Sequence, residues 1–192
     1  MKSSDCLHLG RREFISLIPG AILGSRVSHR SLFSPYSSQT NQNLREELTP
    51  GELKRVEKSV LAQDIKNYFR EGYSCAESLL KVSLKFLRKP EDLVWAACGF
   101  GGGMYQKDLC GFLTSGIMVI GLSAGMLKKE RKESKEICIQ FVEQYWKWWA
   151  SQAPLHCSEI RKPTTNPKVC SRLSLLASAK IEELITSIKS TV

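Results

Sequence analysis

The stretch that decides the fold runs from Ala97 to Leu127 and reads ACGFGGGMYQKDLCGFLTSGIMVIGLSAGML. It holds a glycine knot at Gly99 to Gly103, then Cys110, then an uncharged run from Phe112 to Leu127. Within the run, apolar residues recur at three- and four-residue spacing, which places them on one face of a helix. The sequence therefore predicts a buried central helix after the glycine knot.

Helix-start signals place cysteines where an anion is favoured. Asp108 is predicted to cap the central helix, with Cys110 just inside it, near unpaired N–H groups and the positive end of the dipole. Cys75 follows a capping signal, Ser74 with Glu77. We expect these positions to lower the pKa of both thiols by about one unit. Cys75 should be the more acidic, because Asp108 opposes a thiolate at Cys110.

The uncharged run also has the composition of a membrane segment. At 1.5 Å per residue, its sixteen residues reach only about 24 Å, less than the roughly 30 Å hydrocarbon core. Its glycines suit close helix packing equally well. We favour a buried helix over a membrane span.

Helix signals cover the rest of the chain from Thr49 onward, and no stretch alternates convincingly as a strand. The predicted fold class is all-α, an antiparallel helical bundle of about five to six helices. The predicted helices begin at Thr49 (to about Arg70), Cys75 (to about Leu87), Pro90, Cys110 (to about Leu127), about Glu133 (to Ser151) and Asn166–Pro167 (to the C-terminal end).

Length and charge limit the functional classes. With 192 residues, 42% of them hydrophobic, the chain is long enough for one cored domain and a tail. The net charge is +9, and the densest basic run, Lys128 to Lys132, is interrupted by an acid and carries no aromatic residues. Such a run is typical of a solvated helix face, so we predict no nucleic-acid binding.

The N-terminus resembles a twin-arginine export signal. Arg11 and Arg12 are followed by Phe14 and a short apolar segment, Ser16 to Leu23, before a polar serine-rich stretch. The alternative is a disordered basic tail. We predict an export signal in residues 1–30, a flexible tether in 31–48 and a cysteine-containing helical domain in 49–192. The predicted location is the periplasm or the extracytoplasmic face of the membrane.

Seven cysteines are many for a reduced enzyme of this size, yet no C-x-x-C motif occurs. Cys75, Cys110 and Cys170 fall in the first turns of separate predicted helices, and Cys157 lies in the loop before the last one. We predict that these four cysteines form one cluster, while Cys98 and Cys138 stand apart and Cys6 belongs to the signal. The cluster could be a redox dithiol, a cysteine-ligated metal centre such as iron–sulfur, or a set of structural disulfides.

Glycines and aromatic residues supply two further candidate features. The glycine knot lacks the spacing of a dinucleotide fingerprint, so it either turns the chain or lets backbone approach a cofactor. The candidate cofactor-contacting glycines are Gly99, Gly101, Gly102, Gly103 and Gly111. Tyr145 to Trp149 is an aromatic cluster that is more typical of a core than of a cofactor or dimer contact.

These residues together resemble the bacterial and archaeal C_GCAxxG_C_C family, whose redox activity is inferred from its cysteines. The resemblance spans about residues 55 to 188. The family's Cys-Gly-Ala-x-x-Gly element is Cys110 to Ser115 here, without the alanine and the second glycine, and Gly116 comes one place late. The residues that carry the resemblance are Gly72 to Ser78, Gly99 to Met104, Cys110–Gly111, Leu113–Thr114, Cys157 and Cys170.

The resemblance implies a redox-active protein that uses clustered cysteines. We predict an exported protein with either a dithiol/disulfide couple or a metal centre, in which Cys75, Cys110, Cys157 and Cys170 serve as redox cysteines or as metal ligands. One alternative is a disulfide-stabilised helical module that binds a partner through its Trp-rich helix. Another is a membrane-associated accessory protein. A redox partner protein and a second copy of the chain are the candidate partners.

Overall fold

The computed structural model describes residues 48–163, 165 and 168–191. Over these residues the chain is helical and forms no strand, which confirms the predicted all-α bundle. The predicted export signal, nearly all of the predicted tether, and Cys6 lie outside the described residues. The helices are α1 (Pro50–Lys58), α2 (Val60–Arg70), α3 (Cys75–Leu87), α4 (Gly111–Gly125), α5 (Arg131–Gln152), α6 (Cys157–Ile160) and α7 (Val169–Lys189).

The link between α3 and α4 contains two less common helical forms. A 3-10 helix, Glu91–Phe100, is followed by a π-helical turn, Gly103–Lys107. Both lie where the sequence predicts a short helix and a glycine knot. This link carries the chain back along the bundle before α4 begins.

Two predicted capping boxes fix the starts of α1 and α3. The N–H of Glu52 donates to Thr49 Oγ1 at 3.3 Å, and the Thr49 N–H donates to the Glu52 carboxylate at 2.9 Å. Ser74 and Glu77 repeat the arrangement at 3.4 and 2.9 Å. Each reciprocal pair satisfies N–H groups that a helix start leaves unpaired. The start of α3 places Cys75 in the first helical position.

The first predicted helix is interrupted at Ser59, which ends α1 and caps α2. Ser59 Oγ accepts from the N–H of Ala62 at 3.1 Å and donates to the Glu182 carboxylate at 2.6 Å. The same carboxylate accepts from the N–H of Leu61 at 2.9 Å. The break is therefore stabilised by the Glu182 side chain of α7. This tertiary contact cannot be predicted from the sequence around Ser59.

Three helices run in the same direction and start at the same end. Gly111 at the start of α4 lies against Cys75 at the start of α3. At the opposite end Leu87, Met126, Leu127 and Lys189 line one cavity of about 330 Å³, so α3, α4 and α7 also finish together. Helices α2 and α5 run back between these ends. The shared end of α3, α4 and α7 is where the cysteines lie.

The central helix α4 is buried, as predicted, with Phe112, Leu113, Val119 and Ile120 almost fully enclosed. From α5, Tyr145 is fully buried, and its hydroxyl donates to the carbonyl of Phe112 at 3.0 Å. Among the described residues, no helix combines the length and the apolar character that crossing a membrane requires.

Candidate functional site

Cys75, Cys110, Cys157 and Cys170 all lie at the beginnings of helices. Cys75 and Cys157 are the first residues of α3 and α6, and Cys170 is the second residue of α7. Cys110 occupies the N-cap position of α4. The sequence predicted three of these helix starts. The start at Cys157 was not predicted, because α6 is only four residues long and too short to show helical periodicity.

The structure brings the four thiols within electrostatic range of one another. Burial raises the pKa of Cys75, Cys110 and Cys170. A negative charge at Cys157 adds to the increase in the pKa of Cys75, and a negative charge at Cys75 adds to the increase for Cys110 and Cys170. Cys75 is thus coupled to each of the other three. All the described cysteines are free thiols. We call the four the thiol cluster, and their redox role stays a prediction.

Two glycines allow backbone to pack directly on the thiol cluster. A Cβ atom at Gly111 would lie 2.5 Å from Cys75 Sγ, and one at Gly103 would lie 2.8 Å from the Cβ of Cys157. Real Cβ atoms do not come so close, so both positions require glycine. Gly102 contributes its N–H toward Cys75.

The remaining glycines of the knot contact the cluster less directly. A Cβ atom at Gly101 would lie 2.7 Å from the Cβ of Ser74, the residue that caps the Cys75 helix. At Gly99 there is open space where a side chain would begin. The knot therefore packs mainly against the cysteine-bearing segments. Cofactor contact by these glycines stays a prediction.

An isolated antiparallel bridge between Leu109 and His156 ties two of the cysteines together. The N–H of Cys110 donates to the carbonyl of Leu155 at 2.9 Å, and the N–H of Cys157 donates to the carbonyl of Asp108 at 2.7 Å. Cys110 and Cys157 are thereby diagonal neighbours, a relation that places Cα atoms about 7–8 Å apart. A disulfide needs Cα atoms no more than about 7 Å apart, so this pair lies just outside its range while the bridge is formed.

The prediction that Asp108 caps α4 is wrong. Its backbone belongs to the bridge, and its carboxylate Oδ1 lies 2.8 Å from Nδ1 of His156. Because the bridge holds Cys110 extended, the N-cap of the helix is Cys110, two residues after the predicted cap, and the helix begins at Gly111. His156 is the residue of this region that the sequence reasoning did not single out. Its only local signal was a position directly before Cys157.

The expected lowering of the thiol pKa values is also wrong. Burial raises the pKa of Cys75, although the N–H groups of Gly102, Ala76 and Gly111 act in the opposite direction. Some surface of the Cys75 residue is accessible, but protein atoms surround its sulfur. Burial dominates here because a thiolate loses more hydration than the helix-start N–H groups replace.

Cys110 and Cys170 follow the same pattern. Burial raises the pKa of Cys110 well above its usual range, although the N–H groups of Phe112 and Leu113 favour the thiolate. Burial raises the pKa of Cys170 to about 11, and the positive charge of Arg161 opposes this increase. The cluster is consequently protonated at neutral pH at these positions.

Cys138 lies away from the cluster, on α5, with its sulfur 4.0 Å from where a Cβ of Gly121 would be. It is partly buried, and burial raises its pKa.

Cys98 lies in the 3-10 helix close to Tyr105. Burial raises the pKa of Tyr105, and negative charges at Cys98 and Cys75 add to that increase. Tyr105 is thus in range of both cysteines.

The four cysteines do not form a ready-made metal site. In the part of the chain that the structure describes, no three histidine, cysteine, aspartate or glutamate side chains are grouped so as to hold a metal ion. An iron–sulfur centre at Cys75, Cys110, Cys157 and Cys170 would need these side chains to move.

The aromatic cluster of α5 belongs largely to the core. Tyr145 and Trp149 are fully buried, and Trp149 Nε1 donates to the carbonyl of Pro154 at 3.1 Å. Trp148 stacks on Tyr145 with ring centroids 5.5 Å apart. The Trp149 contact anchors the chain two residues before His156.

A family model described as "Putative redox-active protein (C_GCAxxG_C_C)" matches residues 73–184. This range covers more than half of the chain and includes the whole thiol cluster. The chain belongs to this family. Membership in the C_GCAxxG_C_C family confirms the resemblance found in the sequence and supports a redox-related function. Comparison with curated proteins and comparison with solved structures each found no match.

Proposed function

We propose that this C_GCAxxG_C_C protein is an exported redox protein that works by thiol–disulfide exchange in its thiol cluster. The observation that carries the proposal is the central position of Cys75, whose thiol is coupled to those of Cys110, Cys157 and Cys170. A central thiol with several neighbours can form a disulfide without large changes of the fold.

The proposed reaction is a two-electron exchange with a disulfide of a partner protein or small molecule. The sulfur of one cluster cysteine attacks the partner disulfide, which breaks and releases one partner thiol while a mixed disulfide forms. A second cluster cysteine then attacks the mixed disulfide and releases the second partner thiol. The cluster loses two electrons and two protons, and the partner gains both.

The reacting pair is proposed to consist of Cys75 and one of the two cysteines at the bridge, Cys110 or Cys157. Gly111 and Gly103 let the backbone of these two segments reach the cluster without intervening side chains. A disulfide needs Cα atoms no more than about 7 Å apart, so this close packing is what the reaction requires.

The proposal predicts that Cys75 is essential for disulfide formation. The test uses the full chain with Cys6, Cys98 and Cys138 replaced by serine, oxidised with a small-molecule disulfide and analysed by thiol counting and peptide mapping. We expect one reversible intramolecular disulfide, and none after Cys75→Ser. The matched control is Cys138→Ser in the natural chain, which should oxidise like the natural protein.

Three results would contradict the proposal. A disulfide that forms unchanged in Cys75→Ser would remove Cys75 from the reaction. Disulfides that are already present and resist reduction would favour the structural module. A visible chromophore with bound metal in anaerobically purified protein would favour a cysteine-ligated metal centre.

Export is proposed from the paired arginines and the short apolar segment that follows them. Replacement of both Arg11 and Arg12 by lysine keeps the charge and should leave the protein in the cytoplasm, because the twin-arginine pathway reads the arginine pair. Cell fractionation of a bacterium that has this pathway measures the result. Unchanged export of the double-lysine variant would contradict the route.

A further inference from the structure

The segment from Gly101 to Lys107 packs on the thiol cluster, and we call it the cover. It touches two cluster cysteines with its backbone. The N–H of Gly102 is directed toward the sulfur of Cys75. A Cβ atom at Gly103 would lie 2.8 Å from the Cβ of Cys157. The cover therefore lies directly against both cysteine side chains.

Both ends of the cover are fixed to the bundle. At one end, the carbonyl oxygen of Phe100 packs on the start of α4, 2.9 Å from where a Cβ of Gly111 would be. At the other end, the carbonyl of Asp108 accepts the Cys157 N–H at 2.7 Å. The segment between these two points can change its conformation while its ends stay in place.

The outer residues of the cover bury little surface. Met104 is half-buried, Tyr105 is 60% exposed, and Gln106 and Lys107 are exposed. Segments with few buried apolar contacts open locally at a lower free energy than the core does. Opening of the cover should therefore cost much less than unfolding of the bundle.

The backbone of the cover is strained, and opening would release the strain. Met104, Tyr105 and Lys107 have φ values of 55°, 56° and 60°, in the left-handed region that is unfavourable for L-residues. Gly102 and Gly103 also have positive φ values, but glycine adopts them without this penalty. In an open cover the three L-residues can return to conformations with negative φ. The strain thus favours opening.

We propose that the cover opens locally to expose Cys75 and Cys157 for thiol–disulfide exchange, and that its left-handed L-residues determine how readily it opens. This inference rests on the proposed redox function. Cys157 is 7% exposed, and protein atoms surround the sulfur of Cys75. A thiol attacks a disulfide only where the disulfide can reach its sulfur, so exchange at these cysteines depends on access.

The competing explanation is that both thiols become accessible only when the whole bundle unfolds. The reduced natural protein distinguishes the two. Alkylation of Cys75 and Cys157 by N-ethylmaleimide is followed by peptide mass spectrometry at increasing urea, together with hydrogen exchange of the α4 amides. We expect alkylation to depend weakly on urea, because local opening exposes little surface, and exchange in α4 to show the steep dependence of global unfolding. Equal urea dependences would refute the proposal.

The role of the strain is tested by Tyr105→Ala made once with L-alanine and once with D-alanine. Cys98 and Cys110 flank the cover, so native chemical ligation at these two residues can place a synthetic peptide in the full chain. Both forms lose the same mostly exposed ring and have nearly equal freedom when the cover is open. They differ in the closed cover, because the left-handed conformation is unfavourable for L-alanine and favourable for D-alanine.

We expect Cys75 and Cys157 to be alkylated about 5- to 30-fold more slowly in the D-alanine form than in the L-alanine form. The rates are measured where they stay proportional to the reagent concentration, so that they report the open population. Cys138 lies on α5, away from the cluster, and is the internal control. It should react equally in both forms.

Oxidation separates failure of this inference from failure of the proposed function. The natural chain is oxidised to completion with a small-molecule disulfide, and the products are mapped. If no cluster disulfide forms, the proposed function is refuted, whatever the alkylation rates are. If the disulfide forms but the D-alanine form is alkylated as fast as the L-alanine form, or faster, only the role of the cover is refuted.

Discussion

Gly103→Ala is expected to destabilise the reduced protein by about 3 kcal/mol or more. Gly103 has a φ of +71°, and a Cβ there would lie 2.5 and 2.6 Å from the backbone O and N of Asp108. A left-handed conformation costs an L-residue roughly 1–2 kcal/mol, and overpacking typically adds about 1–3 kcal/mol. The backbone of Asp108 cannot move aside, because its carbonyl accepts the Cys157 N–H and its own N–H donates to Gly103.

Two neighbouring glycines provide matched controls for this effect. Gly102 also has a positive φ, +58°, but a Cβ there meets no atom within 4 Å, so Gly102→Ala should show only the conformational cost. Gly99 has neither a positive φ nor a neighbour within 4 Å, so Gly99→Ala should be nearly neutral. Denaturant unfolding of the three variants measures the differences. Equal losses for Gly102→Ala and Gly103→Ala would show that packing against the bridge does not matter.

The helix starts could be predicted from sequence because they depend on neighbouring residues. Thr49 with Glu52 and Ser74 with Glu77 satisfy each other's backbone groups within one turn, so four consecutive residues carry the whole signal. The apolar face of α4 could be predicted for a similar reason, since periodicity within one helix reports which side is buried. Together these signals were enough to place Cys75 at a helix start and α4 in the core.

The bridge could not be predicted, because it pairs residues that are far apart in the chain and involves one residue pair only. A single pair produces no alternation of apolar and polar residues, which is the usual sign of a strand. The sequence consequently predicts a helix cap at Asp108, a common use of aspartate. In the folded chain its carboxylate pairs with His156, whose position depends on the bridge itself.

The left-handed backbone of the π-helical turn could not be predicted from the sequence either. Met104, Tyr105 and Lys107 have φ values of 55°, 56° and 60°, a conformation that L-residues rarely adopt. Local propensity argues against it, so tertiary packing around the thiol cluster must hold it in place. Backbone strain of this kind is concentrated near functional sites in proteins.

The predicted direction of the thiol pKa shifts is wrong, although N–H groups at the helix starts act as expected. N–H groups at the helix starts do favour thiolates at Cys75 and Cys110. The opposing cost depends on how completely the surrounding segments enclose each sulfur, and the sequence of one helix start does not report this. Burial therefore outweighs the helix-start N–H groups and raises the pKa of the Cys75, Cys110 and Cys170 thiols.

Burial of the Cys170 thiol has a large expected effect on stability at alkaline pH. It raises the folded pKa of Cys170 to about 11, compared with 9.0 for an unperturbed cysteine in the unfolded chain. Because the folded pKa lies above the unfolded value, this stabilising contribution is complete below about pH 9 and is lost as the pH rises toward 11. A shift of about two units corresponds to about 2–3 kcal/mol at one unit per 1.36 kcal/mol.

The matched comparison is between the natural protein and Cys170→Ala, both fully reduced, with the free energy of unfolding measured from pH 7.5 to 11. The remaining cysteines, tyrosines and lysines titrate in both proteins, so the difference between the two pH slopes isolates Cys170. We expect the natural protein to lose about 2–3 kcal/mol more than Cys170→Ala over this range. The variant's lower stability at neutral pH, caused by lost packing, does not affect the slope. Parallel pH profiles would show that the Cys170 thiol ionises as easily in the folded chain as in the unfolded one, and that burial does not keep it protonated.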